Sequence, residues 1–325
     1  MKILITGGLG YVGSNLVQKL LHLNFKVRVL DLKLYGDLQF GNDKNLELFI
    51  GDIRDKSIVN KSLENVDVVI HLACISNDPS FDLNPKLGRS INLDSFEPFV
   101  KSAKNNGVSR FIYASSSSVY GLKQENNVDE NFSLNPLTDY SKYKAECEKI
   151  LLKYTAENFV TTIVRPATVC GYSQRQRFDL VVNILTNFAY NTGQIKVFGG
   201  NQLRPNIHID DMTDCYIKLL DEKKELIMGE VFNVGYENSK VIDLANKVKN
   251  IINLNTKINQ THTDDNRSYH ISSEKIKRII NFSPKFSIDD AVKDIGNAFN
   301  NNKYKDSMNN EMYFNIKRMK SINLK

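Results

Sequence analysis

The sequence predicts an α/β fold, in which a doubly wound parallel sheet carries helices on both faces and is followed by a smaller lobe. Two observations predict it. Short apolar runs alternate with segments of helical period through the first half of the chain. Some of these runs are apolar throughout, as in DVVIHLA, which is typical of a strand that is covered on both faces.

The elements follow one another in the order that a βαβ sheet requires. Predicted strands cover residues 3–6, 27–30, 46–50, 66–71, 110–114 and 161–165. Predicted helices lie between them at residues 12–23, 91–105 and 141–158. Beyond residue 166 the alternation loosens, with helices at 178–190, 210–221, 241–252, 272–280 and 288–299 and strands at 195–198 and 230–234. The fold class is therefore a Rossmann doubly wound parallel sheet with a smaller C-terminal α/β substrate-binding lobe. Its parts are a nucleotide-binding domain over 1–165, a lobe that mainly binds substrate over 166–300, and a basic tail over 301–325.

Composition narrows the class of protein. The 325 residues are 41% hydrophobic and 25% charged, which suffices for a large core, and no apolar run is long enough to cross a bilayer. The four cysteines are far apart and form no CxxC pair, so we expect reduced thiols and a cytoplasmic location. The five histidines show no ligand spacing, so no metal site is predicted.

The basic excess is concentrated at the C-terminus. Residues 301–325 hold six basic and two acidic side chains, a net charge of +4 against +6 for the whole chain. A solvated, frayed tail is favoured over an arm that binds nucleic acid. We therefore expect neither nucleic acid nor a membrane as a partner.

The stretch TGGLGYVG predicts a dinucleotide-binding turn, because it follows a predicted strand and opens a predicted helix. Gly7 would allow the tight turn, Gly10 the close approach of a diphosphate, and Gly13 close packing of the helix on the sheet. The diphosphate would lie at the positive end of the helix. The predicted cofactor contacts in this loop are Gly7, Gly10, Tyr11 and Val12.

An acidic residue follows the second predicted strand. Asp31 ends KVRVLD, 18 residues beyond Gly13, where a carboxylate can accept both ribose hydroxyls of NAD and repel the 2′-phosphate of NADP. Arg28 and Lys33 leave NADP open as an alternative, but NAD is the predicted cofactor. Asp52, in GDIRD, is placed to meet the adenine edge or to cap a helix. The remaining predicted cofactor contacts are Ile53, Leu72, Ala73, Tyr140 and Lys144.

Tyr140 and Lys144 are four residues apart, so on a helix they share one face, whereas the adjacent Tyr143 points elsewhere. A nearby ammonium favours the phenolate, and such a tyrosine can take a proton from a substrate hydroxyl. A serine at the end of a neighbouring strand would orient the same hydroxyl. Alone, the pair is typical of a helix surface; together with the glycine loop and the serine run, it favours catalysis.

These residues and their motifs resemble the extended short-chain dehydrogenase/reductases, also called the NAD-dependent epimerase/dehydratase family. The resemblance covers nearly the whole chain and includes TGGLGYVG, GDIRD, HLAC, SSSSVYG, YSKYK, RPATVCG and RPNIHIDD. In the family the catalytic serine lies four residues before the tyrosine of VYG, here Tyr120. The resemblance therefore implies Ser116, Tyr140 and Lys144 as the catalytic residues, with Ser115 as a structural neighbour.

The resemblance also bears on the substrate. Ser117 and Ser118 stand where 4,6-dehydratases carry an aspartate and a glutamate, and serines cannot supply that acid and base. Arg204 matches an arginine that contacts the diphosphate of a nucleotide sugar, and Thr168 stands where many sugar epimerases have an asparagine. The arginines Arg175, Arg177 and Arg267 are further candidates for phosphate, or equally surface ion pairs. The substrate contacts implied are Ser116, Ser117, Thr168, Arg177, Arg204 and Arg267.

The expected activity is oxidation of a sugar hydroxyl, at C4, of an NDP-hexose or NDP-heptose through a 4-keto species. An epimerase, a dehydrogenase and a reductase share the Ser–Tyr–Lys set, so all three stay open. The segment 165–183 resembles a subgroup of bacterial sugar epimerases and a GDP-heptose 4-dehydrogenase, which implies surface-polysaccharide precursors. The alternative to an enzyme is a regulatory protein that binds NAD as a sensor and does not catalyse a reaction.

The resemblance also implies a homodimer, formed by the predicted helices 91–105 and 141–158. The alternative is that both helices simply meet the core. If the tail is only solvated, deletion of 301–325 should leave NAD binding unchanged.

Overall fold

The structure is a computed structural model that describes residues 1–38, 40–123, 125, 127–263, 268 and 270–325. The strands are β1 Lys2–Thr6, β2 Lys26–Asp31, β3 Leu46–Ile50, β4 Val68–His71, β5 Arg110–Ala114, β6 Val160–Pro166, β7 Thr168–Cys170, β8 Gln194–Phe198, β9 Leu203–His208, β10 Glu230–Val234, β11 Glu237–Lys240 and β12 Lys257–Thr261. The helices are α1 Tyr11–His22, α2 Lys56–Leu63, α3 Asp78–Asp82, α4 Pro85–Arg89, α5 Phe96–Asn105, α6 Asp139–Leu152, α7 Val181–Thr192, α8 Ile209–Asp221, α9 Lys224–Ile227, α10 Val241–Ile252, α11 Glu274–Ile280, α12 Ile288–Asn300 and α13 Asn315–Ser321.

Seven parallel strands form the central sheet, in the order β3-β2-β1-β4-β5-β6-β10. Successive side chains of a strand point to opposite faces, and β1 shows both faces covered. Ile3 and Ile5 pack in one apolar cluster with residues of α1 and α8. Leu4 packs in another with residues of α2, α5 and α6. The predicted doubly wound parallel sheet is confirmed.

The smaller lobe has its own apolar core. A three-stranded sheet, β11-β9-β7, and a two-stranded sheet, β12-β8, lie among α7, α10 and α12. Val182, Leu244 and Val292, one from each of these helices, are fully buried together. Four of the lobe's strands, β7, β9, β11 and β12, were not predicted, because their short polar sequences lack apolar alternation.

The lobe and the sheet domain are interleaved along the chain. β10 pairs in parallel with β6, so residues 230–234 belong to the central sheet although they lie within the range assigned mainly to substrate binding. Helix α8 likewise packs against α1. The chain therefore returns to the central sheet after it has entered the lobe, and the boundary at residue 165 stays a prediction.

Two predicted helices differ most from the observed ones in extent. The predicted helix 91–105 is one π turn, Ser90–Asp94, followed by α5. The predicted helix 141–158 ends at Leu152, because residues 156–159 form a tight bridged turn into β6. Within the described residues, no helix combines the length and apolar character that a bilayer crossing needs.

The expectation of a frayed tail is wrong. Residues 315–321 form α13, and Met319 is only 4% exposed. Arg318 donates to the Leu34 carbonyl at 2.5 Å, and Arg54 donates to the Lys325 carbonyl at 2.9 Å. The C-terminal segment is therefore packed against the loops that follow β2 and β3.

Candidate active site

One cavity of about 410 Å³ collects most of the predicted site at the carboxyl ends of the central strands, where doubly wound sheets bind their ligands. Its size is typical of a ligand pocket. The predicted residues that line it are Gly7, Gly10, Tyr11, Val12, Asp31, Asp52, Ile53, Leu72, Ala73, Ser116, Ser117, Tyr140, Lys144, Thr168 and Arg177.

The glycine loop has the shape that a dinucleotide diphosphate requires. Gly7 has φ +73°, and a Cβ there would lie 2.8 Å from the Ala73 backbone nitrogen. A Cβ on Gly13 would lie 2.2 Å from the Gly7 carbonyl oxygen, so only glycine lets α1 pack this closely. Gly10 precedes α1 without a side-chain cap, which leaves the first backbone N–H groups of the helix for an anion. These residues fit NAD.

Asp31 is held between two backbone donors. Its carboxylate accepts from the amides of Leu9 at 3.0 Å and Lys33 at 2.7 Å. Burial raises the pKa of Asp31 and these two hydrogen bonds oppose the rise. Arg28 is turned towards Glu47, 2.5 Å away, so this candidate for a 2′-phosphate contact is already paired. The arrangement favours NAD over NADP.

Asp52 lines the cavity, while the neighbouring Asp55 caps α2 through the Ser57 amide. The helix-cap interpretation of Asp52 is therefore wrong. Burial raises the pKa of Asp52, but hydrogen bonds from Arg54 outweigh it and hold the pKa below its ordinary value. A charged carboxylate thus borders the cavity where the adenine edge was predicted.

Tyr140, Ser116 and Lys144 meet at the carboxyl end of β5. Tyr140 and Lys144 lie on the first turns of α6, and the Lys144 ammonium is 5.9 Å from the Tyr140 ring centre. Lys144 donates to the Ala114 carbonyl at 2.6 Å, which fixes the ammonium at the end of the strand. The Ser116 hydroxyl lies 2.9 Å from the Ser118 hydroxyl and lines the same cavity as Tyr140.

Burial raises the pKa of Tyr140 well above its ordinary value, and the nearby Cys74 and Asp78 add to the rise. Arg177 and the hydrogen bond with Ser116 lower the pKa. From the sequence, Lys144 was expected to supply this cation. In the structure Arg177 is a cation that lowers the pKa of Tyr140, and the Lys144 ammonium donates to the Ala114 carbonyl.

The four serines of the run have different environments. Ser115 donates to Glu148, which forms a two-point ion pair with Arg165. Ser116 faces Tyr140, as described above. Ser117 is buried, and both it and Ser118 line the cavity. Because Ser115 is occupied by the buried ion pair, its neighbour Ser116 is the hydroxyl that lies beside the phenol.

One predicted substrate residue, Arg204, is not among the residues that line this cavity. Arg204 lies on β9, opposite Ser239 of β11, and one of its nitrogens donates to the Leu203 carbonyl at 3.1 Å. It is absent from the lining because the β9–β11 ladder holds it in the lobe. Arg267 lies outside the described residues.

The cavity also contains residues that the sequence did not indicate. They are contributed by the loops after β2 and β4 and by the C-terminal segment, and include Tyr35, Ser76, Asp78, Asn315, Met319 and Leu324. The apolar Met319 and Leu324 in a basic tail were the one available signal that this segment packs against the protein. The polar residues of this group gave no signal in the sequence that they line the cavity.

A separate group of possible metal ligands lies away from the cavity. His208, Asp210 and Asp294 have ligand atoms within 4.8 Å of one another. His208 Nδ1 accepts from the Asp210 amide and caps α8, while Nε2 lies 3.1 Å from Asp294. These contacts describe a helix cap in the lobe.

Known proteins share this architecture. The chain is 27% identical to a UDP-glucose 4-epimerase of Lactobacillus helveticus over 315 residues, covering 90% of this chain and 95% of that protein. It is 27% identical to the low-salt glycan biosynthesis protein Agl12 of Haloferax volcanii, covering 72% and 77%. The solved UDP-glucuronic acid 4-epimerase of Bacillus cereus, in complex with UDP-glucuronic acid and NAD, superposes with a TM-score of 0.82 at 26% identity, covering 93% and 99%.

A sequence model of the NAD dependent epimerase/dehydratase family matches residues 3–235, which is more than half of the chain. This range includes the glycine loop, Asp31, the serine run and the Tyr140–Lys144 pair. The protein is therefore an NAD-dependent enzyme that belongs to the NAD dependent epimerase/dehydratase family.

Proposed function

We propose that this enzyme oxidises the C4 hydroxyl of a nucleotide sugar, an NDP-hexose or NDP-heptose, as a 4-epimerase or 4-dehydrogenase. The observation that carries the proposal is the position of the Tyr140 phenol. It lies beside the Ser116 hydroxyl, in the same cavity as the glycine loop. Relatives that include a UDP-glucose 4-epimerase support this choice of substrate class.

In the proposed reaction Tyr140, as the phenolate, removes the proton from the sugar hydroxyl. Ser116 orients that hydroxyl by hydrogen bonding, and Lys144 holds a positive charge near the phenol. When bound, NAD supplies the acceptor for the hydride that leaves the sugar carbon. The cation of Arg177 favours the phenolate that burial disfavours.

Substrate contacts are proposed on the lobe side of the cavity. Ser117 and Thr168 line the cavity near the catalytic residues, and we propose that they contact the sugar. Arg204 and Arg267 stay proposals for contacts to the nucleotide diphosphate. The likeness to Agl12 supports a role in surface-polysaccharide precursor synthesis.

Whether the purified protein retains NAD(H) distinguishes the 4-epimerase from the 4-dehydrogenase. The protein is purified without added cofactor, denatured, and the supernatant is assayed for NAD(H). An epimerase must hold the cofactor through both hydride steps, so stoichiometric NAD(H) is expected and supports epimerisation. An empty protein would favour a dehydrogenase or a 4-keto-sugar reductase that exchanges its cofactor in each turnover.

A panel of UDP-, dTDP- and GDP-sugars then tests the substrate class, with product isomers and NADH absorbance both measured. At least one sugar nucleotide is expected to give a C4 epimer or a 4-keto product. Tyr140→Phe protein carried through the same purification controls for contaminating activity. If the panel gives no conversion while NAD still binds, the catalytically silent NAD sensor replaces the proposal.

We further propose a cytoplasmic homodimer that pairs through α5 and α6. Leu137, just before α6, is 48% exposed and Leu152, at its end, is 38% exposed, whereas Leu151 meets the core. The four cysteines are unpaired, as expected in a reducing compartment. Sedimentation velocity at micromolar concentration is expected to show a dimer that Leu152→Glu weakens; a monomer at all concentrations would contradict it.

A further inference from the structure

Two buried arginines line the cavity without enough partners. Arg175 is 4% exposed and Arg177 is 7% exposed, and both lie between β7 and α7. Arg175 Nε and Arg177 Nη2 are buried and have no hydrogen-bond acceptor. A buried donor that lacks an acceptor is destabilising, more so on a charged group, so such donors are uncommon in folded proteins. An acceptor supplied by a ligand would explain both.

The charge of this pair is also incompletely balanced. Arg177 pairs with Asp179 at 2.8 Å, whereas no salt bridge within 4.0 Å joins Arg175 to a carboxylate of the described residues, and Asp179 and Asp31 act on it only at longer range. Arg175 instead stacks on the Tyr35 ring, with its guanidinium carbon 3.5 Å from the ring centre. Burial lowers the pKa of Arg175 to about 10, and the positive charge of Arg177 adds to the effect. The wall of the cavity thus carries a buried cation that an anion would stabilise.

The position of the pair indicates which anion. The segment before Arg175 packs on the glycine loop: Tyr11 donates to the Gly171 carbonyl at 2.8 Å, and Ser173 donates to the Tyr11 carbonyl at 2.8 Å. Asn183 donates to both the Tyr11 hydroxyl at 3.0 Å and the Arg177 carbonyl at 2.9 Å, and both arginines line the same cavity as Gly10. The part of the cavity beside the glycine loop therefore has two sources of positive potential, the start of α1 and the guanidinium pair.

We propose that Arg175 and Arg177 bind the diphosphate of NAD from the side opposite the glycine loop, and that Asn315 of the C-terminal segment positions both. A diphosphate offers several anionic oxygens, which suit two guanidinium groups and the N-terminal amides of α1 together. For Arg177 this replaces the predicted contact with the sugar nucleotide. The assignment depends on NAD as the cofactor and not on the identity of the sugar.

Asn315 contacts Arg175 directly and is connected to Arg177 through Ser76 and Asp179. Its side-chain oxygen accepts from Arg175 at 2.5 Å. Its side-chain nitrogen donates at 3.0 Å to the Ser76 hydroxyl, which also accepts from Arg177 at 3.1 Å. Its backbone amide donates at 2.9 Å to Asp179, the counterion of Arg177. A residue near the end of the chain therefore fixes the orientation of both guanidinium groups.

The test compares ligands with and without a diphosphate. Cofactor-stripped protein is titrated calorimetrically with ADP-ribose and with adenosine. Arg175→Gln and Arg177→Gln are each expected to weaken ADP-ribose binding by about 10- to 100-fold, the range for a hydrogen bond to a charged group, and to leave adenosine binding unchanged. Arg278→Gln removes one positive charge from an exposed helix position outside the cavity and should change neither.

Stability measurements separate binding from a structural role. Arg175→Met removes a buried cation that lacks a carboxylate partner, so it is expected to raise the thermal unfolding midpoint of the empty protein and to reduce its stabilisation by NAD. Asn315→Ala should weaken ADP-ribose but not adenosine, by less than either arginine change. If Arg177→Gln fails to fold, Arg175→Met and Asn315→Ala still decide the question.

Three results would overturn the assignment. Unchanged ADP-ribose affinity in Arg175→Gln and Asn315→Ala would show that the guanidinium pair does not bind the cofactor diphosphate. Loss of UDP affinity with intact ADP-ribose affinity would move the pair to the substrate diphosphate. Equal losses for ADP-ribose and adenosine would indicate a structural role only.

Discussion

Replacing Tyr140 by phenylalanine is expected to lower kcat by about 10²- to 10⁴-fold, the usual contribution of a positioned acid or base, and to weaken NAD binding far less, because the other predicted cofactor contacts are kept. The change removes one oxygen from a half-buried side chain and keeps its ring contact with Phe81. Steady-state kinetics on the sugar nucleotide found in the panel measures the effect, and calorimetry with NAD measures binding.

The pH profile adds a second readout for the same variant. Because burial raises the pKa of Tyr140, the phenolate fraction, and with it the wild-type rate, is expected to increase as the pH rises through the neutral and alkaline range. Tyr140→Phe should lose that increase. A residual rate with the wild-type pH dependence would show that another group is the base.

Tyr143→Phe is the matched control, since it removes the same hydroxyl three positions further along α6. Its ring lies against Phe81 and Arg89, outside the cavity lining. Its kcat is expected to stay close to wild type. If both variants lose activity equally, the effect would belong to the packing of α6 and not to the phenol of Tyr140.

The cofactor loop was predictable because its chemistry is local. Gly7, Gly10 and Gly13 sit in eight consecutive residues whose turn, helix start and close packing depend on the lack of a Cβ. The position of Asp31 at the end of β2 likewise follows from the length of one βαβ unit. The choice of Ser116 among four serines was different, since it came from the family resemblance and not from spacing.

The C-terminal side of the site was not predictable, because it depends on contacts between residues far apart in the chain. Asn315 reaches Arg175 and Ser76 through hydrogen bonds that no spacing rule connects. Composition alone described residues 301–325 as a basic solvated tail. The expectation that deletion of this segment leaves NAD binding unchanged is therefore replaced by an expected loss of NAD affinity.

The position of β10 in the central sheet was also not predictable from the sequence. The apolar run at 230–234 was correctly predicted as a strand, but its sequence does not say which sheet it joins. Its register with β6, where Asn233 lies opposite Arg165, is set by tertiary packing. That placement matters for the site, because Asn233 accepts from the Tyr120 hydroxyl at 2.8 Å and Tyr120 accepts from Arg165 at 2.6 Å.

Replacing Glu148 by alanine is expected to destabilise the folded protein by about 3–5 kcal/mol, the cost of leaving one member of a buried ion pair alone. Glu148 accepts from Arg165 Nε at 3.0 Å and from Nη2 at 2.7 Å, and the two side chains are only 4% and 6% exposed. Burial lowers the pKa of Arg165, but Glu148 outweighs burial and holds that pKa above its ordinary value. Without Glu148 the desolvation of Arg165 is uncompensated. Urea unfolding followed by circular dichroism measures the free-energy difference.

Two further variants show whether the loss of stability comes from Arg165 being left without a carboxylate partner. Glu146→Ala lies two residues away on the exposed face of α6 and should change the free energy of unfolding by no more than about 0.5 kcal/mol. Adding Arg165→Met to Glu148→Leu removes both charges and should recover much of the stability, because apolar side chains can replace a buried ion pair. Since Ser115 donates to Glu148 and adjoins Ser116, the double variant should regain stability but not full activity. Destabilisation of less than about 1 kcal/mol in Glu148→Ala would instead mean that water reaches Arg165 and that the serine run is held by other contacts.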